Sequence, residues 1–398
     1  MARGMVALDS IKQRILTELS RGLINQEQAR VVVAPRENGP GFWFGAGNII
    51  ETADGCFYLC GRYRNSGDSR TGLEAGARGA ELAFFRSDDR GKSFKKILSF
   101  GKKDLGYSDR QVLSIERCWM HPTEEGMELY LSSEKTGVPY PRGYEAFQKP
   151  GTGVWSIDRI VAPSLETIDP AAIQPLLQSS DPRVCHVKDP VVYSNSAGDT
   201  ILMFCTHPFN WASANTGMVV RPRGSMTFGE ADYAFFPRGF TWDVAACRIT
   251  GVLKVPRLGV FSDGPQICLF FYDGAESMRN LQQHEKAVKR PRGYSCEELG
   301  GAAYGLERAF PRIERLSAIL PFFVSPYGSG CSRYVAILAT QEGIYATWQQ
   351  SQADLSQPLV LHFMPHAEIE AVLEGNLVNG ASPTPGAECI VDSSGRSR

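Results

Sequence analysis

Four carboxylates stand in surroundings that are unusual for charged side chains. Glu116 lies inside the apolar run VLSIERCW, and Asp189 lies inside HVKDPVVY. Glu297 and Glu298 lie between a Tyr and a Gly pair in RGYSCEELGG, which suits a loop that approaches a ligand closely. Because a charge in an apolar stretch is costly without a partner or a task, these positions are candidates for acid–base or nucleophilic chemistry. The structural alternatives are an ion pair at Glu116, an ordinary turn at Asp189, and solvated loop acids at the other two.

Arginines form a second group of candidates. Arg62 and Arg64, in CGRYRN, alternate to the same strand face, so both can point at one anion. Arg333, in GCSRYV, has a comparable place late in the chain, and Arg117 follows Glu116 directly. If the four converge, they suit an oxyanion such as a carboxylate, a sulfate or a phosphate; salt bridging between sheets is the equal alternative.

Aromatic side chains near predicted loop ends complete the candidate set. They are Trp43, His207, Trp211 and Tyr294, on which a sugar ring can stack, although each alone is more often a packing residue. The basic loop from 286 to 292 is interpreted as a solvated rim.

Composition excludes several classes of protein. The 398 residues carry 42 Lys and Arg against 43 Asp and Glu, so there is no overall positive field to attract nucleic acid. The start, MARGMVALDSIKQRIL, lacks a signal-peptide pattern and no run is long enough to cross a membrane, so we predict a soluble cytoplasmic protein. The ten cysteines lie in apolar runs and form no C-x-x-C pair, and the histidines lack zinc-site spacing, so no metal or cofactor is predicted.

The elements that must position these residues are short β-strands. Residues 7–34 are predicted as helix, with Asp9 as cap and Gly22 at the first stop. From about residue 40, short apolar runs alternate with Gly, Pro, Asn and Asp clusters, which is typical of all-β folds.

The runs divide into five groups of four, as the blades of a propeller require. The groups begin at FWFGAGNII, QVLSIERCW, VCHVKDPVVYS, ITGVLKVP and LPFFVS. The fourth strands of groups two and three are predicted near Glu166 and at FTWDVAAC. The predicted domains are a helical lead-in over 1–36, an all-β five-bladed propeller over 37–365, and a short helix with a flexible tail over 366–398.

Residues 87–94, SDDRGKSF, fit the Asp-box pattern S-x-D-x-G-x-[ST]-[WF]. Asp89 can accept hydrogen bonds from the turn, Gly91 can adopt positive φ, and Phe94 can pack beneath the hairpin. This turn joins the outer strands of a blade, so it predicts fold and gives no information about catalysis.

With that box, the WFGAGN and FYLCGRYR segments and the VKDPVVY segment, the chain resembles the propeller glycoside hydrolases of families 43, 32 and 130, and more distantly the sialidases. The resemblance implies three funnel carboxylates: a base or nucleophile, an orienting Asp in an Asp-Pro pair, and an acid Glu. Asp189 matches the Asp-Pro element, whereas Gly47 and Asn48 stand where these families often place an Asp.

The resemblance therefore implies a glycoside hydrolase acting on a small glycoside or an oligosaccharide end. Asp189 is expected as base or orienting carboxylate, Glu116 as its partner, and Glu297 or Glu298 as acid. Two alternatives remain open: a sialidase-like or phosphorolytic enzyme whose arginines hold an anion, and a propeller that binds a glycan or protein without chemistry. The sequence predicts neither the sugar nor the oligomeric state.

Overall fold

The structure is a computed structural model that describes residues 8–65, 79–278 and 297–376. The described chain begins with helix α1, Ser10–Leu23, and strand β1, Arg30–Val33. Its strands form five antiparallel sheets, and helix α2, His366–Leu373, follows the last of them. Blade one has β2 Trp43–Gly45 and β3 Ile49–Glu51 along its inner edge, then β4 Phe57–Arg64, β5 Glu81–Ser87 and β6 Lys95–Gly101. Blade two has β7 Val112–Thr123, β8 Gly126–Lys135, β9 Val154–Ala162 and β10 Gln174–Leu177.

The remaining blades follow the same order from inner to outer strand. Blade three has β11 His186–Ser194, β12 Thr200–His207, β13 Asn215–Arg221 and β14 Asp232–Phe236. Blade four has β15 Ala246–Lys254, β16 Ile267–Ala275, β17 Leu299–Leu306 and β18 Glu314–Arg315. Blade five has β19 Ser332–Ala339, β20 Gly343–Gln350 and β21 Leu359–Pro365, with β1 as its outer strand. The fold is thus the five-bladed β-propeller that the sequence predicted.

Blade five is closed by the N-terminal strand. β1 pairs antiparallel with β21, with Val31 opposite Val360. The prediction that LPFFVS begins this blade was wrong, because that segment is a connection whose Phe323 makes only an isolated bridge to Gly300. The predicted helix over 7–34 was also too long: α1 ends at Leu23, and the propeller begins before residue 37.

Two other outer strands differ from the prediction. The segment around Glu166 is a single 3-10 turn, and the outer strand of blade two is β10. In blade three the outer strand is β14, whereas FTWDVAAC starts with the exposed Phe240 and leads into β15. Outer strands are short and half-solvated, so their hydrophobic pattern is weak.

Apolar side chains hold neighbouring blades together. One large cluster joins blades four and five to α1 through residues such as Phe271, Trp348 and Leu19. α2 packs on the same cluster with Ile369, and it begins after Pro365 as the sequence predicted. The helices therefore cover blades four and five rather than the funnel.

The hairpin between β5 and β6 has the features expected at residues 87–94. Asp89 accepts hydrogen bonds from the Ser93 backbone N–H at 2.9 Å and from the Ser93 hydroxyl at 2.6 Å. Gly91 has a φ of 78°, and Phe94 is partly buried against the core. Both strands are the outer ones of blade one, so this turn lies away from the axis.

Every inner strand is interrupted in its first half. Ala46, Asp189 and Tyr334 have φ values of 60°, 58° and 58°, in blades one, three and five. In blades two and four the pairing register shifts after Ile115 and after Ile249. Such bulges redirect side chains, and here they bring polar groups towards the common axis.

Candidate active site

The candidate site lies at one end of the propeller. Its inner-strand residues all fall within the first six positions of their strands: Glu116 and Arg117 on β7, Lys188 and Asp189 on β11, Arg248 on β15, and Arg333 and Tyr334 on β19. Because the inner strands contact one another around the axis, these positions meet at the floor of a single funnel.

Two of the predicted carboxylates meet on one tyrosine. The Tyr334 hydroxyl donates to Glu116 Oε1 at 2.9 Å and lies 3.4 Å from Asp189 Oδ1. The two distances together limit the separation of these carboxylate oxygens to about 6.3 Å at most. Glu116 and Asp189 belong to neighbouring blades and are 73 residues apart in sequence, so only the propeller brings them together.

Arg248 connects carboxylates of blades three and four with the tyrosine of blade five. Its Nη1 donates to Asp189 Oδ2 at 2.9 Å and to the Tyr334 hydroxyl at 3.1 Å. Its Nη2 lies 2.7 Å from Asp273 Oδ2 and 2.9 Å from Glu298 Oε1. A buried guanidinium that bonds several carboxylates at once fixes their relative positions.

A second group of arginines surrounds the Trp43 indole. The guanidinium carbons of Arg64, Arg333 and Arg62 lie 4.0, 4.3 and 5.8 Å from the ring centroid. Arg62 is paired with Glu116 Oε1 at 2.6 Å, and Arg333 is paired with Glu298. Of the four arginines whose convergence the sequence left open, these three lie around one indole.

Arg117 lies outside this group and bridges blades two and four. It is fully buried, and its Nη2 donates to the Thr250 carbonyl of blade four at 2.7 Å. Its guanidinium faces the rings of Trp119 and Tyr334 at 5.1 and 5.3 Å. Burial lowers the pKa of Arg117 to about 10, and its role is that of a floor rather than a member of the Trp43 group.

The carboxylates differ in how their surroundings shift their pKa values. Burial alone would raise the pKa of Glu116, but Arg62 and Lys188 hold it well below its ordinary value. Burial likewise opposes ionisation of Glu298, but Arg248 and Arg333 lower its pKa to about 2. Burial raises the pKa of Asp273 to about 6. Glu116 and Glu298 are therefore ionised at neutral pH.

Exposure separates carboxylates that reach a ligand from those that support the site. The side chains of Glu298 and Glu116 are 24% and 11% exposed, whereas those of Asp189 and Asp273 are 0% and 1% exposed. Glu116 and Glu298 thus face the funnel, while Asp189 and Asp273 lie behind them.

A group of aromatic side chains from blades two and three adjoins the site. The Trp211 ring lies 4.3 Å from the rings of both His186 and His207, and 6.4 Å from that of Trp155. Burial lowers the pKa of His186 to about 3 and that of His207 well below its usual value, so both imidazoles are neutral. The Lys188 ammonium lies 5.6 Å from the Trp211 ring and 3.6 Å from Asp189 Oδ2, which links this group to the carboxylates.

The structure brings most of the predicted site residues together, in two neighbouring groups. Glu116, Asp189 and Glu298 share the network around Arg248, and Glu297 lies beside Glu298, half-buried. Tyr294 and the basic loop of 286–292 lie outside the described residues.

Sequence reasoning missed four residues of the network: Lys188, Arg248, Asp273 and Tyr334. Arg248 and Asp273 stand within the apolar strands ACRITGVLK and ICLFFYDGA, which is the same signal that identified Glu116. Tyr334 gave no such signal, because a buried tyrosine in a strand is common.

No protein-family model and no curated protein sequence matches this chain. Solved structures match it closely in architecture. A protein described as a glycoside hydrolase aligns with a TM-score of 0.54 at 10% identity, covering 90% of this chain and 96% of its own. The α-L-arabinofuranosidase from Lactobacillus brevis aligns at 0.52 and 8% identity, covering 83% and 92%. The β-1,2-mannobiose phosphorylase from Listeria innocua, solved with β-1,2-mannobiose, aligns at 0.51 and 10% identity, covering 89% and 98%.

These likenesses are too distant in sequence to show more than the fold. They place the chain among the five-bladed propellers, the class that the sequence resemblance predicted. Within the described part of the chain, no helix has the length and apolar character needed to span a membrane.

Proposed function

We propose that this protein cleaves a glycosidic bond at the end of a small glycoside or oligosaccharide bound in the funnel. The observation that carries the proposal is the meeting of Glu116 and Asp189 on the Tyr334 hydroxyl, at 2.9 and 3.4 Å. The fold is shared with a described glycoside hydrolase and with an arabinofuranosidase, which supports carbohydrate as the substrate class.

In this proposal the two carboxylates have different tasks. Glu116 is ionised and partly exposed, so it attacks the anomeric carbon or activates a water molecule. Asp189 is fully buried against Arg248, so it orients the site without contacting the substrate. Glu298 can act as acid only after substrate binding separates it from Arg248 and Arg333, because these two guanidinium groups keep it ionised.

The closed floor supports action at a chain end. Arg117 crosses from blade two to the Thr250 carbonyl of blade four, beneath the Tyr334 ring. A polymer therefore has no path through the axis at this level. A terminal sugar can enter from the mouth, with the rest of the glycan directed outwards past Trp211.

A panel of aryl glycosides, followed by two isosteric variants, tests the proposal. Glu116→Gln and Asp189→Asn are each expected to reduce kcat about 100-fold or more on the cleaved glycoside, since each removes a funnel charge. Glu128→Gln is the matched control: this buried carboxylate pairs with Arg221 at 2.7 Å and accepts from Tyr130 at 2.6 Å, but it lies on β8 away from the axis. Full activity in both funnel variants, with circular dichroism unchanged, would contradict the assignment.

A second candidate is phosphorolysis, which the arginines around Trp43 favour. Arg62 Nε and Nη1 and Trp43 Nε1 are buried donors without a hydrogen-bond partner among the described residues. Donors without acceptors suit an oxyanion. In phosphorolysis a phosphate oxygen would form the bond to the anomeric carbon while the glycosidic oxygen leaves with a proton.

The two reactions differ in their dependence on phosphate. Hydrolysis proceeds in phosphate-free buffer, whereas phosphorolysis requires inorganic phosphate and yields a sugar phosphate. Arg62→Gln should then raise the KM for phosphate. Glycan binding without any cleavage would instead leave the non-catalytic propeller as the remaining interpretation.

A further inference from the structure

Tyr334 has a backbone conformation that is unusual for its residue type. It stands in β19 with a φ of 58°, in the left-handed region that bulky side chains rarely adopt. The Asp273 carboxylate accepts from its backbone N–H, at 3.0 and 3.2 Å to the two oxygens. Arg248 Nη2 donates to the same carboxylate at 2.7 Å. The surrounding contacts thus maintain a conformation that costs free energy by itself.

The Tyr334 hydroxyl has one proton to donate and two carboxylates in reach. Arg248 Nη1, at 3.1 Å, can only donate to this oxygen, so the phenolic proton is directed to a carboxylate. Glu116 Oε1 at 2.9 Å is a closer acceptor than Asp189 Oδ1 at 3.4 Å. The resulting chain runs from Arg248 through the hydroxyl to Glu116.

The Tyr334 ring keeps the cations of the funnel floor apart. The guanidinium carbons of Arg248, Arg117 and Arg333 lie 4.0, 5.3 and 5.4 Å from its centroid. Without the ring, these positive charges would approach one another in a buried environment, where their repulsion is poorly screened. The hydroxyl of Tyr334 therefore contacts the carboxylates of the site, and its ring separates the guanidinium groups.

We propose that Tyr334 is a positioning residue, whose hydroxyl holds Glu116 in place and ionised for the reaction. The proposal rests on the proposed function for its catalytic meaning. With this left-handed backbone, the hydroxyl reaches both carboxylates from blade five.

Other charged groups also face Tyr334 and Glu116 and affect their pKa values. Glu116 is faced by Arg62 from β4 and by Lys188 from β11. Tyr334 is faced by the charged groups of four other elements and of its own strand, namely Arg117, Asp189, Arg248, Asp273, Glu298 and Arg333. The cations that favour ionisation of Glu116 all remain when the hydroxyl is removed, so a partial change in its pKa is expected.

Tyr334→Phe removes the hydroxyl and keeps the ring. A hydrogen bond donated to a carboxylate stabilises its ionised form, so its loss raises the pKa of Glu116. The acidic limb of the kcat/KM profile should move to higher pH by about one unit, and kcat should fall about 10-fold to 100-fold with little change in KM. Tyr130→Phe is the matched control, because Tyr130 is also buried and donates to a carboxylate, Glu128, at 2.6 Å, but outside the funnel.

A second readout does not depend on activity. The carboxyl carbon of Glu116, assigned by its loss in Glu116→Gln, can be titrated by 13C NMR in full-length protein labelled at Glu. Its midpoint should rise in Tyr334→Phe and stay at the wild-type value in Tyr130→Phe. If Tyr334→Phe fails to fold, Tyr334→His replaces it, because His keeps an aromatic ring among the guanidinium groups, tolerates left-handed φ and is too short to reach Glu116.

The outcomes separate this inference from the proposed function. A raised Glu116 midpoint in a protein that cleaves no glycoside would refute the function and leave the positioning role intact. An unchanged midpoint together with an unchanged pH profile would overturn the inference, even if glycosides are cleaved.

Discussion

Glu298 should make the stability of this protein sensitive to acid. Burial opposes its ionisation, but Arg248 Nη2 lies 2.9 Å from Oε1 and Arg333 contacts Oε2, and together they lower the pKa of Glu298 to about 2. A carboxylate whose pKa is lower in the folded state than in the unfolded state stabilises the folded state at pH values above the unfolded-state pKa. This contribution is complete above pH 4.5 or so and is lost as the pH falls towards 2.

The size of the effect follows from the shift. The pKa of Glu298 is about 2.5 lower in the folded protein than its ordinary value, and each pH unit corresponds to about 1.36 kcal/mol. The upper limit of its contribution to the free energy of unfolding is therefore roughly 3 kcal/mol. Because a quarter of the side chain is exposed, solvent screening reduces this to about 1–2 kcal/mol. About three-fifths of this contribution is lost between pH 7 and pH 3, so over that range Glu298→Gln should lose roughly 1 kcal/mol less free energy of unfolding than the wild type.

Denaturant unfolding at pH 7 and pH 3 measures the difference. Glu370→Gln, at an exposed position of α2, is the control and should retain the pH dependence of the wild type. If Glu298→Gln loses as much free energy of unfolding between the two pH values as the wild type does, Glu298 is not held ionised by the arginines. The acid role that the sequence suggested for it would then regain its electrostatic basis.

Two further predictions concern residues outside the funnel. Lys135 and Asp158 form an ion pair at 2.8 Å with both side chains fully buried. Lys135→Met should therefore reduce the free energy of unfolding, measured with denaturant, by about 3–5 kcal/mol, and adding Asp158→Leu should recover much of that loss. A Lys135→Met variant as stable as the wild type would contradict this. Asp89→Ala removes the acceptor of the hairpin between β5 and β6, so the Tm should fall while kcat/KM on the cleaved glycoside stays unchanged, and a parallel loss of activity would show that the hairpin affects the funnel.

The repeated strands of this fold could be predicted because their signals are local. Each inner and middle strand is an apolar run bounded by turn residues, and the hairpin at Asp89 has a fixed spacing. The pairing of β1 with β21 joins residues more than 300 positions apart, and nothing in RVVV indicates its partner. The outer strands β10 and β14 were misplaced because their half-exposed side chains lack a clear pattern.

The candidate site was predictable to the extent that burial shows in the sequence. Glu116 and Asp189 were found because a carboxylate in an apolar strand needs a partner, and the arginines were found by their alternation. Tyr334 was not found because its importance comes from a left-handed backbone and from which atoms its hydroxyl meets. The charge state of Glu298 depends on Arg248, which is 50 residues away and in another strand.

The closure of blade five by β1 also has a consequence for biosynthesis. Among the strands of the propeller, β1 is synthesised first and its partner β21 last, so the ring cannot close and the funnel cannot be complete until β21 has been made. Because Arg62, Glu116, Asp189, Arg248 and Tyr334 come from five different blades, a proteolytic fragment that lacks any blade would also lack part of the network.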